Sequence, residues 1–349
     1  MNHKNSIINR FILYYIILKI FITLIFFLIM PVFFDQSIFR YNDFGYYSSD
    51  TFEPGRNLGY RYLISLLGIK NLDAVLPIFL ASIVNLSLDI AWIYLLRNYL
   101  SLRGIFFFIL MLGLHPYAAV YTMKFSSDLF AKIALFFFCK ELLSGGFNNV
   151  KKKTLSAGEI LLWTLLTLVR NSNFFIAAPY FFLKLRNNYL FLIFLITFFS
   201  VGFYFVTYSY WVDLHLLPTL PWSPNYLKEI LGIENSIIIL LAGVIVRALL
   251  LFGAREKLMG EGIEQFLVWG TPGLELFIYI FLGFSQFFGF FVAIRFFFKR
   301  YGIATLSMLL LLGIYFLTYP HQRYLIPFIP LCLFGLALFF ENRVTKRLR

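Results

Sequence analysis

The chain has 349 residues, 60% of them hydrophobic and 13% charged, and its mean hydropathy is +0.80. A soluble domain carries roughly 45–50% apolar and about 25% charged residues, so this composition excludes a soluble globule and predicts an all-α, polytopic membrane protein. The formal net charge of +13 does not indicate a nucleic-acid partner, because the basic residues form short clusters between apolar segments, as cytoplasmic loops do.

The first predicted span covers residues 11–34 and follows Lys4 and Arg10. It is too long for the apolar region of a signal peptide, and no small-residue cleavage site follows it. A polar external loop is predicted at 35–73, with a short interfacial helix at 63–73. This loop is the first one on the non-cytoplasmic side.

Three more spans are predicted in the N-terminal half, at 74–96, 104–122 and 128–143. The next segment, 157–183, leaves two alternatives open. It is either a hairpin of two short helices with Arg170 near the outer surface, or one span with the arginine inside it. The hairpin is preferred, because a charge at the middle of a bilayer is costly.

The C-terminal half continues with an outward span at 188–207 and a second external loop at 208–235. Three prolines within seven residues of that loop argue against a span. The segment 236–253 contains Arg247 and either lies at the outer leaflet or spans. The last predicted spans cover 272–298, 303–319 and 324–341. Both versions of the middle give about ten spans in one membrane domain, 1–349, with both termini cytoplasmic.

Polar residues gather in four stretches that the predicted topology places at the outer face: the loop after the first span, "HPYAAVYTMKFSSD", "RNSN" and "PHQRY". Since a lipid-embedded bundle needs few polar residues, these stretches predict where the chemistry occurs. Asp43 lies among aromatic residues in "RYNDFGYYSSD", an environment that raises the basicity of a carboxylate and suits a general base. Alternatively it is a solvated loop acid. Asp35 and Asp50 are the other candidates.

Arg323 in "YPHQRYLIPFIP" is a candidate phosphate ligand, because a guanidinium donates a bidentate fork to phosphate and Tyr324 can add a hydroxyl. His321 and Gln322 are further candidates for substrate binding. Interfacial anchoring is the alternative explanation for an arginine beside a tyrosine. The basic residue nevertheless lies at the face where the topology disfavours positive charge.

Arg170 with Asn171 and Asn173 is a second candidate site for an anion or for sugar hydroxyls; the alternative is a helix-hairpin turn with capping asparagines. Ser126 is predicted to be the N-cap of the fourth span, and Asp128 is a candidate to face the cleft. Asn85 and Asp89, one turn apart in the second span, predict an interhelical hydrogen-bond site. The four histidines show no metal-ligand spacing and no phosphate-binding glycine loop is present, so neither a metal nor a nucleotide cofactor is predicted.

The layout resembles the GT-C superfamily of membrane glycosyltransferases, which includes protein mannosyltransferases, aminoarabinose transferases and GPI mannosyltransferases. The likeness is carried by Asp43 with "NLGYRYLISLLGI", by "HPYAAVYTMKFSSDLFAKIALFF", by "LVRNSNFFIAAPYFFL" and by "HQRYLIPFIPLCLFGLAL". Residues 188–300 carry none of it. The first loop departs from the pattern because it lacks an adjacent acidic pair, and the chain has no soluble C-terminal domain.

The resemblance implies a polyprenyl-phosphate sugar as donor and a glycolipid, polysaccharide or protein as acceptor. Asp43 would be the catalytic base, and the donor phosphate would meet Arg323, Tyr324 and Arg170. Substrate contacts are expected from His321, Gln322, Asn171, Asn173, Asp128 and Asp50. The abundance of Phe, Ile, Asn and Lys favours a bacterial plasma membrane.

Two other functions remain open. A lipid-linked polysaccharide polymerase would need arginine-rich external loops, and residues 208–235 contain no arginine. A flippase or transporter of lipid-linked saccharides would show inverted repeats and polar groups near mid-membrane. Only Asn85 with Asp89, and Arg247, fit that second pattern.

Overall fold

The computed structural model describes residues 2–33, 58–69, 75–115, 125–144, 156–185, 272–302 and 322–347, with isolated positions between 232 and 242 and between 305 and 309. These residues form helices and no strands. The α-helices in chain order are α1 (Asn2–Phe33), α2 (Leu58–Leu66), α3 (Val75–Leu96), α4 (Leu102–Leu114), α5 (Ser127–Leu143), α6 (Ala157–Val169), α7 (Phe174–Leu185), α8 (Pro272–Tyr301) and α9 (Ile329–Arg347). Two 3-10 helices precede α7 and α9, at Asn171–Asn173 and Gln322–Phe328.

Three of the described helices are long and apolar enough to cross a membrane: Lys4–Ile25, Leu76–Leu96 and Leu325–Asn342. Their outer faces are apolar; in α1, Leu13, Ile17 and Phe21 are all more than half exposed. Large apolar side chains on the surface of a long helix are expected where the solvent is lipid. The described part of the chain is therefore helical, and its three long apolar helices indicate a membrane protein.

Basic residues that the sequence predicts to be cytoplasmic lie together at one end of the bundle. Lys4 donates to the carbonyl oxygens of Arg97 (2.8 Å) and Leu100 (3.1 Å), so α1 and α3 are antiparallel with this end in common. The Ser101 amide donates to Glu341 at 2.6 Å, which brings the C-terminal part of α9 here as well. We call this end the Lys4 end. The start of α5 and the α6–α7 turn lie at the other end, which we call the Arg170 end.

The segment 157–183 forms the predicted hairpin. The helix α6 stops at Arg170, whose backbone is extended (φ −142°, ψ 106°), and the chain reverses into α7. The two helices are antiparallel, because Glu159 near the start of α6 accepts a hydrogen bond at 2.7 Å from Tyr180 in the second half of α7. At about 1.5 Å of rise per residue, α6 and α7 are each roughly 20 Å long, which is short of the thickness of a hydrocarbon core.

Two predicted boundaries are wrong, and each has a local cause. The helix α4 ends at Leu114, inside the predicted span 104–122, because the following His115 precedes Pro116 and takes the extended conformation that this requires. The short helix predicted at 63–73 is α2, which ends earlier because Gly68 has φ 64° and closes a left-handed cap. The last predicted span, 324–341, agrees with the apolar helical segment Leu325–Asn342, which starts in the 3-10 helix before α9.

The helices α8 and α9 pack closely because glycines face each other across their contact. A Cβ atom on Gly335 would lie 1.8 Å from the carbonyl oxygen of Gly289, and one on Gly289 would lie 2.2 Å from the Cys332 carbonyl oxygen. Small residues let backbones in lipid approach, and the close fit gains van der Waals contact. This contact fixes α9, and with it the 3-10 helix that contains Arg323.

Several predicted features lie outside the described residues. They include Asp35, Asp43, Asp50 and His321, the span at 188–207, and nearly all of the loop at 208–235. Most of the segments 236–253 and 303–319 lie outside as well. For Asn171, Gln322, Arg323 and Tyr324 the structure describes the backbone alone.

Candidate functional site

The first polar cluster lies at the Arg170 end and is built from the start of α5 and the α6–α7 turn. The Arg170 guanidinium forms an ion pair with Asp128, with 2.6 Å between Nη1 and Oδ1. It also donates to the hydroxyls of Ser127 (2.9 Å) and Ser172 (3.0 Å). Both charged side chains are 4% exposed. We call Ser127, Asp128, Arg170, Ser172 and Asn173 the arginine cluster.

Asn173 fastens the turn of this cluster to two helices. Its Nδ2 donates to the carbonyl oxygen of Leu166 at 2.9 Å and to that of Phe130 at 3.2 Å. The Leu166 carbonyl also accepts from the Arg170 amide, so Asn173 adds a second donor at the end of α6 and holds the turn in place. The Asn173 Oδ1 oxygen is buried and accepts no hydrogen bond within the described residues.

Ser126 lies at the N-cap position of α5, but its side chain makes no capping hydrogen bond. The prediction was right about the position and wrong about the bond. Asp128, in the first turn, places its negative charge where the helix dipole favours it and pairs with Arg170 as well. The first turn of α5 is thus held by a tertiary ion pair.

The second polar cluster lies deeper in the bundle, where α1, α3 and α5 meet. Asp89 accepts hydrogen bonds from the Tyr15 hydroxyl and the Lys132 ammonium, each at 2.6 Å. Lys132 also donates to Asn85 at 3.1 Å, which confirms the predicted interhelical role of Asn85 and Asp89. Lys19, 2% exposed, lies one turn after Tyr15 on the same face of α1, the face whose Tyr15 hydroxyl binds Asp89. We call Tyr15, Lys19, Asn85, Asp89 and Lys132 the lysine cluster.

A buried pair extends the polar region toward α8. The Nε2 atoms of His115 and Gln286 are 2.7 Å apart. Since an amide nitrogen only donates, the imidazole accepts through this atom. Both side chains are 3% exposed, so they form a further buried polar contact, between the end of α4 and α8.

The two clusters are joined through α5. Asp128 and Lys132 are four residues apart and share a face of the helix. Lys132 lies about 16 Å from the Lys4 end of α5, and Arg170 about 20 Å from the start of α6, at about 1.5 Å of rise per residue. The clusters therefore form one polar tract along α5, from Lys132 to the Arg170 end of the bundle.

The element that carries Arg323 belongs to the same region. The 3-10 helix Gln322–Phe328 packs against α5 and continues into α9. Leu325, Ile326 and Phe328 are buried there. Of the residues predicted to act in a site, Asp128, Arg170 and Asn173 are in contact within the arginine cluster. Arg323 and Tyr324 lie on the 3-10 helix, which packs against α5, the helix that begins in the arginine cluster.

Two members of the site, Lys19 and Lys132, were missed by the sequence reasoning. Each is a lysine inside an apolar helix, which is in itself a signal of function or of a buried partner. Lysines within apolar helices can be identified from the sequence, so both residues could have been predicted as members of a site. Nothing in the spacing along the chain indicated that Lys132 would pair with Asp89.

The tract brings together one guanidinium, two ammonium groups and two carboxylates, and Asp128 and Asp89 already pair with Arg170 and Lys132. Its hydroxyls, amides and charged groups are types that can contact anions or sugar hydroxyls. Groups of three or more metal-ligating side chains do not occur among the described residues.

Comparison with protein families, with curated proteins and with solved structures found no match for the chain. Function therefore has to be inferred from the two clusters and from the polar loops of the sequence.

Proposed function

We propose that the chain is a membrane glycosyltransferase, which moves a sugar from a polyprenyl-phosphate donor to a glycolipid, polysaccharide or protein acceptor at the outer face. The proposal includes a bundle of about ten spans with short interfacial helices on that face and cytoplasmic termini, in a bacterial plasma membrane. The observation that carries it is the contact between Asp128 and Arg170, which joins two of the polar stretches expected at one face.

Three features of the described residues support the proposal. The arginine cluster and the lysine cluster form a polar tract inside a lipid-facing bundle. Asn173 Oδ1 in this tract is a buried acceptor without a hydrogen-bond donor among the described residues. The 3-10 helix with Arg323 packs against α5, the helix that begins with the arginine cluster. A site for a lipid-linked sugar phosphate needs cationic groups and hydrogen-bond acceptors within reach of the bilayer, and these elements supply both kinds.

In the proposed reaction, Asp43 removes the proton of an acceptor hydroxyl as that oxygen attacks the anomeric carbon of the donor. The bond between the anomeric carbon and the phosphate oxygen breaks, and polyprenyl phosphate leaves with the electron pair. Arg323 and Tyr324 stabilise the charge that develops on the phosphate. A single displacement inverts the anomeric configuration. The reaction needs no ATP and no redox cofactor.

The ability of Arg170 to bind phosphate is limited in this scheme, because its guanidinium already pairs with Asp128. It can receive phosphate through both arms of the fork only if Asp128 withdraws from it. We propose that Arg170 fixes the turn and contributes positive potential, while Arg323 holds the phosphate directly. Asp128 then limits non-productive anion binding.

The experiment is a transfer assay with purified protein and a panel of radiolabelled polyprenyl-phosphate sugars, with lipid-linked and peptide acceptors. Wild-type protein should transfer at least one sugar, and Asp43→Asn should lose the activity while keeping its thermal stability. Glu53→Gln is the matched control, because it removes an acid that has no proposed role from the same loop. Absence of transfer from every donor, or full activity in Asp43→Asn, would remove the basis of this mechanism.

A second candidate function is movement of lipid-linked saccharides across the bilayer, and the lysine cluster favours it. Charged groups inside membrane helices are typical of transporters, and Lys132 with Asp89 is a charged pair buried between the helices. The discriminating measurement is translocation of a fluorescent polyprenyl-phosphate sugar in proteoliposomes without acceptor. A transferase leaves the lipid in its original leaflet, whereas a flippase moves it. A polysaccharide polymerase is the remaining alternative, and it predicts products with repeating units.

A further inference from the structure

An open groove lies on the first turns of α1, near the Lys4 end of the bundle. Its volume is about 510 Å³, and its lining consists of Asn5, Ser6, Asn9, Arg10 and Leu13. Ser6, Asn9 and Arg10 are exposed. The groove therefore presents a guanidinium together with neutral hydrogen-bonding groups on the surface of a helix that is otherwise apolar. We call it the Arg10 groove.

The charge of the Arg10 groove is positive and has no acidic counterpart in its own helix. The sequence of α1 contains no aspartate or glutamate. Arg10 forms no ion pair or hydrogen bond within the part of the chain that the structure describes. Asn5 lies in the first turn of α1, where the helix dipole adds positive potential. An anion is therefore the ligand that complements this groove.

The neighbouring helix α3 adds two side chains beside the groove. The Tyr94 hydroxyl donates to Asn9 Oδ1 at 3.0 Å, which uses the oxygen of this amide and leaves its NH2 group to donate elsewhere. The Arg97 guanidinium lies 5.4 Å from the centre of the Tyr94 ring. The contacts from Asn9 to Tyr94 and from Tyr94 to Arg97 thus extend the donor-rich surface from α1 onto α3.

The face of α1 that carries Ser6 and Arg10 continues as an apolar stripe. Its members follow at intervals of three or four residues, so they share that face, and each is 50–56% exposed: Leu13, Ile17, Ile20 and Leu24. The stripe is about 16 Å long at about 1.5 Å of rise per residue. One leaflet is roughly half of a hydrocarbon core that is about 30 Å thick. A polar groove followed by one leaflet's length of apolar surface matches the outline of a phospholipid.

We propose that the Arg10 groove and this stripe bind an anionic phospholipid from the leaflet at the Lys4 end. Its phosphate lies at Arg10 and its acyl chain lies along Leu13 to Leu24. Arg10 can donate two parallel hydrogen bonds to phosphate oxygens, and Ser6 and Asn9 can each donate another. The proposal does not depend on the transferase activity, whose residues are assigned to the opposite face.

A phospholipid is a better occupant than a soluble anion, because of where the stripe ends. A lipid whose chain lies on the stripe carries its phosphate to the level of Arg10 without leaving the bilayer. A soluble anion has no such placement and has to compete with the lipid phosphates that already surround the helix. Basic groups close to a membrane surface attract anionic lipids in the same way.

The test is native mass spectrometry of the full-length protein, released from nanodiscs that contain phosphatidylcholine and phosphatidylglycerol. Wild-type protein should retain phosphatidylglycerol in preference to phosphatidylcholine. Arg10→Gln should weaken phosphatidylglycerol binding about fivefold, as expected for one basic residue near an anionic lipid, and Arg10→Lys should keep most of it. Arg295→Gln is the matched control. It removes an exposed arginine from the last part of α8, which contacts Tyr99 near the Lys4 end.

Ser6→Leu separates a defined site from general attraction between a basic surface and acidic lipids. The variant keeps every charge and fills the groove with an apolar side chain. Ser6 has no hydrogen bond to lose within the described ranges. A site in the groove predicts weaker phosphatidylglycerol binding in Ser6→Leu, whereas general attraction predicts no change. If Arg10→Gln fails to insert into the membrane, Ser6→Leu decides.

Several outcomes would overturn the proposal. They are equal retention of the two lipids by wild-type protein, equal losses in Arg10→Gln and Arg295→Gln, and unchanged binding in Ser6→Leu. Displacement of the lipid by an equal concentration of glycerol 3-phosphate would assign the groove to a soluble anion instead. A two-chain species that Ser6→Leu dissociates would assign this face to a second copy of the chain. Selective lipid binding by a protein that transfers no sugar would refute the glycosyltransferase alone.

Discussion

Asp128 and Lys132 lie one turn apart on α5, and each pairs with an opposite charge from another helix at 2.6 Å. Asp128 pairs with Arg170 at the end of α6, and Lys132 pairs with Asp89 in α3. A single helix face therefore connects the turn of the α6–α7 hairpin to the middle of the bundle. This relationship makes α5 the organising element of the site.

The pair between Asp128 and Arg170 should be important for stability. Asp128→Asn leaves a buried guanidinium without its carboxylate, which costs about 3–5 kcal/mol in comparable buried pairs. The thermal midpoint of the detergent-solubilised protein should fall clearly. The double variant Asp128→Asn with Arg170→Gln should recover part of the loss, because no buried charge remains unpaired. Equal midpoints for Asp128→Asn and wild type would show that the pair contributes nothing.

Three serines at helix starts should differ in their contribution. Ser101 and Ser156 accept hydrogen bonds from the amides of Gly104 and Glu159, whereas the side chain of Ser126 makes no capping bond. Ser101→Ala and Ser156→Ala should each cost about 1 kcal/mol. Ser126→Ala should cost less than either of these, because the buried Ser126 side chain has no capping hydrogen bond to lose. A large loss in Ser126→Ala alone would contradict the described start of α5.

The glycine contact between α8 and α9 predicts a strong steric effect. Gly335→Ala places a methyl group where the backbone of Gly289 lies, so the helices must separate, at a cost of about 1–3 kcal/mol or more. Gly104→Ala is the control, because its new methyl group would meet only the flexible end of Glu341. Thermal midpoints in detergent compare the two. Similar midpoints for both variants would be inconsistent with close packing at Gly335.

Arg323 and Arg170 should affect donor binding differently under the proposed mechanism. Arg323→Ala should raise the apparent KM for the lipid donor by about tenfold to a hundredfold, as expected for loss of a hydrogen bond to a charged group. Arg170→Lys should chiefly lower stability, since lysine cannot keep the fork to Asp128, Ser127 and Ser172. Steady-state kinetics and thermal midpoints give both quantities. An unchanged donor KM in Arg323→Ala would count against its phosphate role.

The sequence allowed the helical membrane class and the hairpin at 157–183 to be predicted, because both follow from the cost of placing charge in lipid. The helix bounds were predicted least well where a single residue decides them. Pro116 stops α4 through its effect on His115, and Gly68 ends α2 through a left-handed cap. Both residues were visible in the sequence, so these errors were avoidable.

The ion pairs were harder to predict. Asp128 and Arg170 were each proposed as site residues, but their contact depends on how α5 packs against the α6–α7 hairpin. Lys132 and Asp89 are 43 residues apart, and no pattern along the chain relates them. Partners between helices are set by tertiary packing, which a single sequence does not reveal. The roles proposed for Asp43 and Arg323 remain predictions.

The central claim is that a carboxylate and a guanidinium from distant parts of the chain act at one site on the outer face. Cross-linking tests it most directly, with Asp43→Cys and Arg323→Cys combined and a short thiol-reactive linker added to intact cells. Native Cys139 and Cys332 are fully buried and should not react. Efficient cross-linking by a membrane-impermeant reagent, reduced by added polyprenyl-phosphate sugar, is the predicted result. Reaction of position 323 only from the cytoplasmic side, or no cross-link at any linker length, would contradict the claim.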